Sequence, residues 1–146
     1  MKGTHLHMMQ SIKVRHHIEV AHRLYLLPGT CQNIHGHSMW VTMELFGEVD
    51  SKGILEGLDF SSVKQTFRKH LDTTFDHRLL LNEVDPIIIG HSLPGQRLTP
   101  GDPTTENIAR WVGHWAIDTW QPFVNHIVIE VQETSVNFAT WDSGLL

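Results

Sequence analysis

With 146 residues, 40% of them hydrophobic and 18% charged, the chain has the composition of one soluble domain, residues 1–146, with a full hydrophobic core. Its formal charge of -5 argues against a general grip on nucleic acid, and no apolar run approaches the roughly 20 residues that cross a bilayer. A single cysteine excludes an intramolecular disulfide framework, and the opening MKGTHLHMMQ lacks the apolar centre of a secretory signal, so a cytoplasmic address is the expectation.

From Ile12 to Leu24 the residues alternate, with Ile12, Val14, Ile18, Val20 and Leu24 on one face and Lys13, Arg15, Glu19 and Arg23 on the other. That period of two predicts a half-buried strand, ended by the turn signal LPGT. A second alternating run from His35 to about Asp50 sets Met39, Val41, Met43 and Leu45 on one face. Trp40 and Phe46 share the opposite face, which implies that something covers it, such as another subunit. The period then changes: Phe60, Val63, Phe67 and Leu71 form the stripe of an amphipathic helix capped by Asp59. Asn82 to Asp102, rich in Pro and Gly, reads as a loop.

A second helix opens at PTTEN, with Thr104 or Thr105 as its N-cap and Ile108, Trp111, Val112 and Trp115 as its buried stripe. Ile127, Ile129 and Val131 then alternate in a third strand, and FATWDS suits a short closing one. The order ββααββ predicts an α+β domain, an antiparallel four-stranded sheet carrying both helices on one face.

Parity brings three histidines together. His35 and His37 point the same way on the second strand, at the mouth of its core face, and His22 shares the core parity of the first strand. If these strands pair through LPGTCQN, three imidazoles converge. That set fits a zinc site with an open fourth position. The alternative is three core histidines that must each find other hydrogen-bond partners. Cys31 lies four residues before His35; it suits a fourth ligand that closes the site, a thiol base beside a cation, or an inert buried residue. Asp76 and His77 are either a carboxylate–imidazole relay or a capped turn. Glu133, on the core parity of the third strand, either meets a ligand with two adjacent N–H donors or forms a salt bridge.

Six motifs in order, AHRL (21–24), CQNIHGH (31–37), GLDFSSVK (57–64), FDHRLLLN (75–82), PTTEN (103–107) and VQET (131–134), resemble the family of 6-pyruvoyl- and 6-carboxy-tetrahydropterin synthases. The resemblance runs from about Ile18 to Trp141. It implies the T-fold, with trimers paired into homohexamers and active sites between subunits. It implies zinc on His22, His35 and His37, with Cys31 unligated as the general base and Asp76 and His77 as the relay. Glu133 would anchor the pterin ring, with Thr104 or Thr105 adding contacts. C-x-x-x-H-G-H looks like the 6-carboxy branch, which converts 7,8-dihydroneopterin triphosphate for 7-deazaguanine and queuosine synthesis. Two departures stand out: Ile18 replaces a usual aromatic, and the loop from Glu83 to Asp102 is long.

Overall fold

Strict alternation in the first third of the chain produces two long strands. The computed structural model describes residues 9–146, so most of the MKGTHLHMMQ stretch lies outside the described residues. β1 spans Gln10–His22 and β2 spans His35–Gly47. They pair antiparallel from Gln10 opposite Gly47 to His22 opposite His35. Met39, Val41, Met43 and Leu45 are wholly buried, as parity requires.

The change of period yields α1, Phe60–Thr74, whose start is capped by the Asp59 carboxylate accepting from the Ser62 amide at 3.0 Å. Val63, Phe67 and Leu71 are buried, but Phe60, in the first turn, is 55% exposed and leaves the expected stripe. α2 spans Thr105–Trp120. Its fully buried positions include Ile108, Ala109, Val112 and Ala116, while Trp111 and Trp115 sit at the margin of the core rather than within it. Small residues line the centre of this face because Trp141 crosses it: a Cβ on Gly113 would lie 2.2 Å from the indole ring. Both helices share one core with the inner face of the sheet. Among the described residues no helix is long and apolar enough to cross a membrane.

The four-stranded antiparallel sheet requires correction, because the sheet is mixed and has six strands in the order β4-β3-β1-β2-β5-β6. β3, Arg78–Asn82, lies parallel to β1, and β4, Gln96–Thr99, lies parallel to β3. β3 carries three consecutive leucines, Leu79 to Leu81, and its last three residues, Leu80, Leu81 and Asn82, are all buried, so it shows no alternation. β4 is only four residues long and follows a Pro–Gly turn, which masks it in the sequence. β5, His126–Gln132, and β6, Phe138–Asp142, extend the other edge antiparallel, as expected. On the outer face, Trp40 remains 39% exposed with the Arg15 guanidinium 4.1 Å above its ring.

Candidate metal centre and active site

His22, the last residue of β1, and His35, the first of β2, are direct cross-strand partners, and His37 faces Val20 on the same side. One ring nitrogen from each of the three histidines lies within 4.8 Å of the others. The Nδ1 of His22 meets the Pro103 carbonyl at 2.8 Å, and the Nδ1 of His35 meets the Asn33 carbonyl at 2.7 Å. A carbonyl only accepts, so both Nδ1 atoms must carry hydrogen. In the neutral rings this leaves two lone pairs face to face, with Nε2 to Nε2 at 3.1 Å.

Two lone pairs at that distance repel, and a proton on one ring or a metal ion between the two relieves the contact. A proton on His22 is disfavoured, because burial of this fully enclosed ring lowers its pKa and outweighs the Pro103 carbonyl that raises it. A metal ion meets the need without protonation. Two nitrogens on a tetrahedral zinc at roughly 2.0–2.1 Å would stand about 3.3 Å apart, close to the observed spacing. The donor set therefore fits a zinc ion, and the two carbonyls supply the outer hydrogen bonds that orient metal-binding imidazoles.

His35 and His37 border a cleft of about 680 Å³, lined also by Cys31, Thr104, Thr105, Glu133, Val136 and Phe138, while the fully buried His22 lies outside its lining. Thr104 caps α2, accepting from the Asn107 amide at 3.1 Å. That leaves Thr105 free to donate to Glu133 Oε1 at 2.8 Å. The same carboxylate oxygen lies 3.7 Å from Nε2 of both His22 and His37, so Glu133 joins the floor of the cleft to the histidine cluster. Cys31 is half-buried, sits in a 3-10 turn at Thr30–Gln32 and lies outside the three-ligand group.

Asp76 and His77 lie elsewhere. The Asp76 carboxylate accepts from the Glu19 amide at 2.7 Å and pairs with His77 Nδ1 at 2.7 Å. Burial would raise the Asp76 pKa, but the Glu19 amide and the His77 ring together hold it below its usual range. His77 adopts φ 55°, a left-handed conformation costly for a non-glycine residue, and its side chain is 78% exposed. It lines a separate groove of about 480 Å³, and His37 lines both this groove and the first cleft.

A profile of the family described as 6-pyruvoyl tetrahydropterin synthase matches residues 11–143. The chain belongs to this family. The 6-carboxy-5,6,7,8-tetrahydropterin synthase of Rickettsia typhi is 31% identical over 97 residues, covering 62% of this chain and 68% of the relative. The Haemophilus influenzae protein of the same name is 28% identical over 102 residues, covering 64% and 72%. Among solved structures, an uncharacterized protein from Wolinella succinogenes superposes with a TM-score of 0.78 at 20% identity, covering 93% of this chain and 99% of that one. The 6-pyruvoyl tetrahydropterin synthase of Plasmodium vivax gives 0.77 at 21% identity, covering 94% and 99%. At these identities the solved structures speak to the fold.

Within this member of the 6-pyruvoyl tetrahydropterin synthase family, FDHRLLLN and PTTEN contain several of the groups that hold the site in place, but the motifs do not reveal the bonds those groups make. The segment Asp102–Thr105 presents the Pro103 carbonyl to His22 and Thr105 to Glu133. It is pinned by Asn82 to Asp102 at 2.9 Å, by the Leu26 amide to Asp102 at 2.8 Å and by Asn107 to the Asp102 carbonyl at 2.7 Å. Asn82 and Asp102 are buried polar residues flanking the Pro- and Gly-rich loop, and that combination was the available signal.

Proposed function

We propose that the chain is a zinc-dependent lyase that converts 7,8-dihydroneopterin triphosphate and water to 6-carboxy-5,6,7,8-tetrahydropterin, acetaldehyde and triphosphate, supplying 7-deazaguanine and queuosine synthesis. The observation that carries this reading is the single cleft shared by Cys31, two of the three clustered histidines, Thr104, Thr105 and Glu133. Glu133 accepts from the adjacent N–H donors of the pterin edge, and Thr104 and Thr105 flank that ring. His22, His35 and His37 hold zinc, which when bound supplies Lewis acidity to the hydroxyls of the substrate side chain. Cys31, as thiolate, removes a proton from the side-chain carbon beside those hydroxyls. Asp76 orients His77, which relays protons as triphosphate leaves and the side chain is cleaved.

Cys31 and His77 line different hollows of one chain, which supports sites completed between subunits in a homohexamer of paired trimers. The relatives named for the 6-carboxy reaction favour that product over the pyruvoyl one. Incubating purified, zinc-assayed protein with the triphosphate is expected to release acetaldehyde alongside triphosphate. A pyruvoyl product without acetaldehyde would replace this reading with elimination and isomerisation alone. Pterin binding with no turnover would leave a zinc- and pterin-binding protein.

A further inference from the structure

Arg23 follows the metal-facing His22 directly, and its side chain makes contacts of a different kind. Its Nε donates to the Gln32 carbonyl at 2.9 Å, one residue beyond Cys31. Its Nη1 reaches both oxygens of Asp85, at 3.1 and 3.2 Å. The Asp85 side chain is fully buried and also accepts from the Ile87 amide at 3.0 Å. Two more bonds close the same loop: the Leu24 amide donates to the Cys31 carbonyl at 2.9 Å, and Gln32 Nε2 donates to the Tyr25 carbonyl at 3.1 Å. The turn that carries the thiol is thus tied to the end of β1 and, through Asp85, to the long loop after β3.

We propose that Arg23 and Asp85 are a positioning pair that sets the Cys31 turn against the histidine cluster. A buried ion pair is a poor device for stability alone, because desolvation offsets much of its attraction. It is a good device for registry, because a guanidinium fixes donors in one plane. Here that plane links the carbonyl beside Cys31 to a carboxylate held by the loop of residues 83–102. Lysine, a point charge on a flexible stem, keeps the ion pair but not the fork. The long loop thereby gains a role in the site, since Asp85 at one end steadies the thiol turn and Asp102 at the other steadies the segment bearing Pro103. The proposal rests on the reading of Cys31 as the base.

The test compares Arg23→Lys, Arg23→Met and Asp85→Asn with the parent, each as full-length, zinc-loaded protein corrected for zinc content and folded fraction. Two quantities are measured: kcat and KM, and the rate at which iodoacetamide alkylates the thiol. Cys31 is the only cysteine, so the mass shift reports it alone. Arg23→Lys is expected to lower kcat by about 10- to 100-fold with little change in KM, as a displaced reacting group does. Its alkylation rate is expected to differ from the parent's. If kcat, the alkylation rate, or both stay at the parent's values, the pair does not position the thiol and the proposal is overturned. Should Asp85→Asn fail to fold, Arg23→Lys decides alone. A parallel Cys31→Ala variant separates the two ideas: retained turnover there removes the base, while alkylation of the Arg23 variants still reports whether the pair holds the turn.

Discussion

Two histidines whose Nδ1 atoms both donate to carbonyls are left with opposed lone pairs, and that electronic conflict is the strongest single argument for a metal between His22 and His35. A different histidine shows burial acting without a metal. His70 stacks on Trp115 between the helices, rings 3.9 Å apart and 4° from parallel. Desolvation, aided by the positive charge of Arg97, lowers its pKa from 6.5 to about 4. The unfolded chain therefore binds more protons than the folded one between these values. Stability supported by neutral His70 is complete above pH 6.5 and is lost as pH falls towards 4. The loss is on the order of 2–3 kcal/mol, allowing for the ring's partial exposure. Urea denaturation from pH 7 to pH 4 is expected to show a shallower decline for His70→Phe than for the parent. Parallel declines would mean that His70 titrates normally. At this scale the sequence was most legible where spacing alone carries the information: the three histidines are found by parity. Their supporting groups were hidden, because two of them are backbone carbonyls, which no residue type announces.

The helices and strands divide according to how one-sided their environment is. β1, β2 and β5 are buried on one face and exposed on the other, so alternation exposes them in the sequence. β3 has no exposed alternate positions at Leu80 to Asn82 and so resembles any short apolar run. In α2, Ile108 and Val112 of the expected stripe are buried, but Trp111 and Trp115 lie at the margin and smaller residues fill the centre, where β6 places Trp141 across the helix at Gly113. This fixes a prediction for the element. Gly113→Ala gains helix propensity of up to about 1 kcal/mol, but its methyl would meet the indole at 2.2 Å. Overpacking of that kind costs about 1–3 kcal/mol, and the steric side should win. A lower urea midpoint is expected for Gly113→Ala. A higher one would show that Trp141 moves aside freely.

At the scale of the whole molecule, the mixed sheet brings distant segments to one end. The end of β1, the start of β2, the segment before α2 and the turn after β5 meet around the histidine cluster, with residues 22 and 133 joined at 3.7 Å. This convergence was only partly legible, since β3 and β4 are needed to bring Asp102 and Pro103 back beside β1, and neither strand has a sequence period. The central claim is an open three-histidine metal site with an unligated thiol beside it. The most direct measurement is the turnover and zinc content of Cys31→Ala prepared in parallel with the parent. Turnover is expected to fall by at least about 100-fold, the usual effect of losing a positioned base, with zinc retained at the parent's level. Retained turnover would contradict the account, and so would loss of zinc with the cysteine, which would make Cys31 a ligand and the site closed.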